Sequence, residues 1–491
     1  MNVLKKLNPV FLVTLFGILL FLSIGVFYPE RLDSMAESAF AWTTTHFSGF
    51  YLLVALFFIC FCLFLAFSTY GKIKLGKEED QPEYSYYSWI GMLFSAGFGV
   101  ALVFWGVSEP VSHYMDPPPG YEDQSLETVR VAIQYSMFHW GIHQWAIFAV
   151  IGLSIAYVQF RKGKKGRISA SLEPLLSHMR GWRQAVDSLA VLATATGVAT
   201  TLGLGVIQVS GGLHYTYNTP DGIGTELVII ALLLVCYLGA TIIGLNKGIQ
   251  VISFINLTLA FFLMFFIFFG GPTIYLFHTF IAGMGDYVHH FASMSLDVSP
   301  TEDSSWLDEW TIFYWAWAMA WSPFVGSFIA RVSKGRTIRE FVIGVMLVPP
   351  LVAVAWIAVF GGGALFFETE EGQPIAEEVR EDVTYGLFAL LDHIPFGGIL
   401  TVLSIGLIFL FLITSAASAT YVLGMMTSND SLHPSRWKNI VWGVLIAAIA
   451  TILLVAGGLE ALQTASLVAA LPFSVIMVLM CMALLKELRA K

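Results

Sequence analysis

Charge is what this sequence has least of. Asp, Glu, Lys and Arg make up 12% of its 491 residues, about half of the roughly 25% carried by soluble globular domains. With 57% hydrophobic residues and a mean hydropathy of +0.75, the composition excludes a water-soluble fold and describes a polytopic membrane protein. Cysteine is also scarce. Cys60, Cys62, Cys236 and Cys481 each fall inside an apolar stretch without CxxC or metal-ligand spacing, so neither a disulfide framework nor a zinc site is indicated. A membrane enzyme would need clustered intramembrane acids, histidines or a metal motif, and the sequence offers none. A signal peptide would have a shorter apolar run ending at a small-residue cleavage site, so the first apolar stretch reads as a retained span. The net charge of -9 hides a segregation of signs, and no nucleic-acid partner is read from it.

Twelve apolar segments are long enough to cross a bilayer, near 9–28, 50–70, 88–112, 134–160, 185–213, 225–245, 250–270, 308–331, 339–366, 397–427, 438–457 and 464–485. Basic residues crowd into alternate loops, which hold 22 of the 25 Lys and Arg. The other loops keep only Arg31, Arg130 and Arg380 and are acidic. The positive-inside rule then puts both termini in the cytoplasm of a cell carrying this protein in its plasma membrane. Two outer loops are long. Segment 271–307 is expected to hold an amphipathic helix at the outer interface, and 367–394 reads as a solvated acidic run. Only a short tail follows the last span.

The densest feature is Trp310–Arg331, with four tryptophans in twelve residues. On a helix, Trp310, Tyr314, Trp317, Trp321, Phe324 and Phe328 form one aromatic stripe. Ser322-Pro323 is expected to interrupt that helix, because proline lacks an N–H and clashes with the preceding turn. Gly97 and Gly99 are expected to interrupt the third span. Spans 3–7 and 8–12 can be set side by side as two five-helix units of opposite topology, each opening on an interrupted helix. That pairing points to a transporter's midplane site. The division expected is two leading helices (1–87), a first repeat (88–270), an external segment (271–307), a second repeat (308–486) and a tail (487–491). His139 and His143 read as packing or hydrogen-bonding histidines, and Glu109 beside Pro110 as a helix-end carboxylate.

Five stretches carry a resemblance: SAGFGVALVFWGVSEP (95–110), FHWGIHQWAIFAVIG (138–152), LGLGVIQVSGGL (202–213), FYWAWAMAWSPFVGSFIARVSKGRTIREF (313–341) and FLITSAASATYVLGMMTS (411–428). Nearly end to end, the chain resembles the betaine/choline/carnitine transporter family. The resemblance implies a LeuT-like fold of two leading helices and a five-plus-five inverted repeat. It implies a homotrimer in membrane lipid that moves trimethylammonium-type solutes. It puts Trp317, Trp321, Phe104, Trp140, Trp145 and Phe328 on the aromatic substrate path, with Phe148 where a tyrosine is common. Thr414 and Ser415 match side-chain ligands of a sodium site, which backbone carbonyls of Ser95, Phe98 and Phe411 would complete. Phe324 matches a position near a second ion site. Ala318 follows Trp317 where the family has a second tryptophan, and Ala417 stands where an aspartate is frequent. Ala101 stands where proton-coupled carriers show aspartate, which argues for sodium as coupling ion.

The chemistry agrees with that implication. A quaternary ammonium group has no N–H, and indole faces attract it at roughly 0.5–2 kcal/mol each. A buried acid would be costly while the site is empty, and the middle of the tryptophan-bearing spans reads as acid-free. Sodium prefers oxygen ligands, which paired hydroxyls and carbonyls freed at a glycine break can supply. The expected function is sodium-coupled import of a compatible solute such as glycine betaine, without a resident cofactor. Choline, carnitine, ectoine and dimethylsulfoniopropionate remain open as substrates, and a transport-inactive osmosensor is the alternative from another class.

Overall fold

In the computed structural model each of the twelve expected segments is built mainly of helix among the described residues. The structure describes residues 8–97, 99–179, 181–243, 248–298, 305–428 and 434–490. The first two helices, α1 (Pro9–Phe27) and α2 (Pro29–Phe67), meet at Tyr28. The Asn8 side chain caps α1 by accepting from Val10 N–H at 3.0 Å. Helix α2 starts some twenty residues before its expected bound, because its first turns carry Glu30, Arg31, Asp33 and Glu37 and do not read as apolar.

The third span is broken, as the glycines require. Helix α3 (Tyr86–Gly97) stops and α4 (Val100–Met115) starts after Gly99. The last carbonyls of α3 and the first N–H groups of α4 therefore lack intrahelical partners at this point. The fourth span has a break that the hydropathy does not reveal. Helix α5 (Leu126–His139) ends, Trp140 and Gly141 leave the helical path, and α6 (Ile142–Ala156) resumes. A side chain at Gly141 would run into the Tyr287 hydroxyl, which instead accepts Ile142 N–H at 3.0 Å.

The chain continues through α7 (Trp182–Tyr217), α8 (Ile223–Ile243), α9 (Gly248–Gly270), α10 (Thr273–Ser295), α11 (Phe313–Val332), α12 (Ile338–Thr369), α13 (Gly397–Met426) and α14 (Arg436–Arg489). Helix α10 occupies the segment expected to be amphipathic. It buries Leu276, Gly283, Tyr287 and Met294 and exposes Ile274, Phe277, Ile281 and Val288. The expected interruption at Ser322-Pro323 does not occur: α11 runs through it. Pro323 orphans the Met319 carbonyl, and the Ser322 hydroxyl takes over by donating to it at 2.7 Å. The acidic stretch 367–394 is not simply solvated. It folds into two short helices, Ile375–Glu381 and Gly386–Asp392, whose apolar residues Ile375, Val379, Leu387 and Phe388 are buried.

Helix α14 covers 54 residues, about 80 Å if straight. It cannot be straight, because Lys438 near its start bonds Thr427 and Ser428 while Lys486 near its end bonds Pro174. Arg167 also reaches Ser428, so both ends lie on one side of the bundle. The reversal is at Gly457-Gly458, where Gly458 has φ 59°. This gives the molecule a basic end, formed among the described residues by the stretches around 72–77, 161–179, 331–339 and 434–438, and an acidic end opposite.

Glycines set the closest crossings. A Cβ on Gly152 would lie 3.2 Å from the Gly326 carbonyl, and one on Gly326 would strike Ile151 and come 3.0 Å from Gly152 N, so α6 and α11 cross backbone to backbone here. Gly197 of α7 likewise abuts α11 at Ala320 and Trp321, at 3.1 Å.

Candidate functional site

Helix α11 presents its aromatic stripe to α6 as two separate groups of rings. Toward the acidic end, Phe313 stacks on Trp317 (5.5 Å, 14°), and Trp140 meets both Trp317 (6.5 Å, 85°) and Tyr314 (5.5 Å, 72°) edge-on. One turn further along α11, Trp321 meets Phe148 at 6.0 Å and Phe324 at 5.8 Å, and Phe148 meets Trp145 at 5.6 Å. Among the described residues no ring pair joins Trp317 to Trp321. Ala318 lies four residues from Tyr314 and three from Trp321, on the same face, and so between the groups. All of these side chains are buried, and the Trp317 indole N–H has no acceptor among the described residues.

The break between α3 and α4 faces the lower group. A Cβ on Gly99 would lie 4.0 Å from the Trp321 ring and 3.9 Å from the Ser415 hydroxyl of α13. Gly99 and Phe411 line one small cavity. The broken helix, Trp321, Phe411 and Ser415 thus come together. Thr414 is half-engaged elsewhere. Its hydroxyl donates back to Phe411 O (3.0 Å) and Leu410 O (3.2 Å) and accepts from Asn256 Nδ2 of α9 (3.3 Å). Phe98 lies outside the described residues, and of Ser95 only the backbone in the last turn of α3 is described.

Two of the expected residues stand apart. Phe104 pairs with Trp105 at 4.6 Å, and it is Trp105 that reaches Trp310 and Tyr314. Phe328 is half-buried, seven residues and roughly 10 Å along α11 from Trp321. Above the upper group, Trp105, Trp310, Phe313, Glu309, Glu460 and Thr464 line a cavity of about 450 Å³ toward the acidic end.

The matching family model is BCCT, the betaine/carnitine/choline family transporter, over residues 9–491. The chain belongs to the BCCT family. It is 52% identical to the ectoine/hydroxyectoine transporter of Virgibacillus pantothenticus, over 96% of this chain and 95% of that protein. It is 45% identical to the glycine betaine transporter OpuD of Bacillus subtilis (strain 168), over 94% and 91%. It is 43% identical to a probable glycine betaine transporter of Desulfitobacterium hafniense (strain Y51), over 100% and 99%. This BCCT chain is a multi-pass membrane transporter and not an enzyme.

What sequence reasoning missed in this BCCT site is a buried polar hub. Glu109 is not at a helix end: α4 continues to Met115, and the carboxylate is fully enclosed. It receives Trp140 Nε1 (2.7 Å) and the Tyr314 hydroxyl (2.6 Å) on one oxygen, and its other oxygen is hydrogen-bonded with His139 Nδ1 (2.7 Å) and His113 Nε2 (3.3 Å). His139 Nε2 continues to the Thr311 hydroxyl at 2.9 Å. Two expectations need correcting. The tryptophan-bearing region is not acid-free, and a histidine–acid cluster is present, with ligand atoms of Glu109, His113 and His139 within 4.8 Å of one another. His143 is not part of it; it bonds Ser295 of α10 at 3.0 Å and stacks on Trp315. Asn256 was missed too, and its Oδ1 is buried without a partner among the described residues.

Proposed function

We propose that the protein is a sodium-coupled importer of compact zwitterionic solutes whose cationic charge is dispersed, carrying both glycine betaine and ectoine for osmoprotection. The observation that carries this reading is the pair of ring groups on either side of Ala318, with the α3–α4 break facing the lower one. Ring faces suit a methylated ammonium, which has no N–H to give a carboxylate, and also the flat face of a delocalised cation. The substrate carboxylate meets the N–H groups at the start of α4 and the Trp317 indole N–H, which has no acceptor among the described residues. Alanine at 318 puts no ring of its own between the two groups, which favours a range of head-group shapes. The names of the relatives, one an ectoine/hydroxyectoine transporter and two glycine betaine transporters, support the same range.

Sodium is the second substrate. The Ser95 carbonyl in the last turn of α3, the Phe411 carbonyl, and the Thr414 and Ser415 hydroxyls form its oxygen shell, beside the buried Asn256 Oδ1; Phe98, the remaining expected ligand, lies outside the described residues. Alternating access by two inverted five-helix repeats, a homotrimer in the lipid bilayer and cytoplasmic termini complete the reading. Competition against labelled glycine betaine in proteoliposomes tests the substrate class. Glycine betaine and ectoine compete, and neutral polyols of similar size do not. Uptake indifferent to both zwitterions would end this proposal.

A further inference from the structure

We propose that Glu109 is the hidden counter-charge of the substrate site: an ionised carboxylate behind the rings that holds Trp140 and Tyr314 in place and raises the affinity of the upper ring group for cations. The claim rests on the proposed substrate class and adds the origin of its charge selectivity.

The hydrogen-bond inventory motivates it. Trp140 Nε1 can only donate, and the Tyr314 hydroxyl and both histidines are able to donate. Four donors on two oxygens are what an ionised carboxylate accepts, with His139 and His113 neutral and each giving its one N–H. His139 then receives the Thr311 hydroxyl hydrogen on its other nitrogen. The donors come from three elements: His113 on α4 itself, His139 and Trp140 at the α5–α6 break, and Tyr314 on α11. The break explains the position of Trp140, whose backbone has left the helix, so its indole is fixed from the carboxylate side.

The consequence follows from the rings. Trp140 and Tyr314 both pack against Trp317. An indole N–H or phenol O–H given to a carboxylate makes the ring more electron-rich, which strengthens its attraction for a cation on its face. The carboxylate also adds its own field through a medium that screens poorly. A charge shielded by rings attracts a cation without a direct ion pair, and its four hydrogen bonds satisfy it while the site is empty. Glu109 is therefore a positioning residue that acts through Trp140 and Tyr314.

The test compares two ligands of one shape. Glycine betaine carries a quaternary nitrogen, and tert-butylacetate carries carbon in its place. Equilibrium binding of both is measured by tryptophan fluorescence on the full-length wild type and on Glu109→Gln and Glu109→Asp, with monodispersity and Tm checked. The preference for glycine betaine over tert-butylacetate is expected to fall about tenfold or more in Glu109→Gln. Glu109→Asp, which keeps the charge, is expected to keep the preference even if both ligands bind more weakly. Equal weakening of both ligands in Glu109→Gln would mark a purely structural role and overturn the inference. If Glu109→Gln does not fold, Glu109→Asp decides: a retained preference supports the inference and a lost one overturns it. Absence of glycine betaine binding by the wild type would instead sink the substrate reading, and this inference with it.

Discussion

Trp321 and Trp315 are six residues apart on one helix and do different work. Trp321 faces Phe148 and the α3–α4 break, whereas Trp315 is fully buried and stacks on His143 at 4.9 Å. Trp321→Leu is expected to cost about 1–3 kcal/mol of substrate affinity through lost cation–π attraction and packing. Trp315→Leu is expected to lower Tm and yield of folded protein and to leave the affinity of what folds nearly unchanged. Equal affinity losses by titration at both positions would contradict the face assignment. Ala318→Trp is expected to put a further indole between the ring groups, so that ectoine uptake falls well below glycine betaine uptake. An unchanged ratio of the two in a folded variant would show that residue 318 does not face the substrate. At this scale the sequence was readable where residue type and helical period suffice: the tryptophan stripe needs only the spacing. Glu109 was not readable, because its partners lie 30 and 205 residues away in His139 and Tyr314, and a neighbouring proline mimics a helix end.

Elements add what single residues do not reveal. The glycine break in the third span was legible because two glycines in mid-span weaken a helix and nothing nearby replaces them. Ser322-Pro323 misled because a hydroxyl can stand in for the missing N–H, as it does on Met319 O. The break at Trp140-Gly141 gave no hydropathy signal, since it depends on Tyr287 of α10 filling the space over Gly141. The α6–α11 crossing carries the candidate site, because Phe148 and Trp321 hang from it. Gly326→Val is expected to push these helices apart, since even a Cβ there strikes Ile151. Overpacking of this kind typically costs about 1–3 kcal/mol. A Tm drop of several degrees together with weakened substrate binding is the expected outcome, and wild-type values of both would refute the close crossing.

The whole molecule is fastened at one end and hollow at the other. At the basic end the linker before α3 pairs with the loop after α11. Leu75 N–H donates to Arg336 O (2.7 Å), Ile338 N–H to Ile73 O (2.9 Å), Trp89 Nε1 to Ser333 Oγ (2.9 Å), and Arg331 bonds Glu83 at 2.9 Å. At the acidic end the 450 Å³ cavity reaches down to Phe313. The hydrogen bond and charge of Arg331 hold the Glu83 carboxyl below its usual range. A lowered value means that this tie contributes above the ordinary carboxylate pKa and is lost as pH falls through the lowered one. Arg331→Gln is expected to loosen the basic end, read as faster maleimide labelling of Phe328→Cys in a cysteine-free background. Labelling no faster than with Arg331 present would show that the tie does not close that end.

Sodium coupling rests on Thr414, Ser415 and the α3–α4 break acting together. The direct measurement is uptake of labelled glycine betaine into proteoliposomes under an inward sodium gradient, an inward proton gradient, or neither, with membrane current recorded. The account predicts accumulation only with sodium, inward positive current because the organic substrate has no net charge, and a raised sodium requirement in Thr414→Ala. Full accumulation driven by the proton gradient in sodium-free buffer would contradict it.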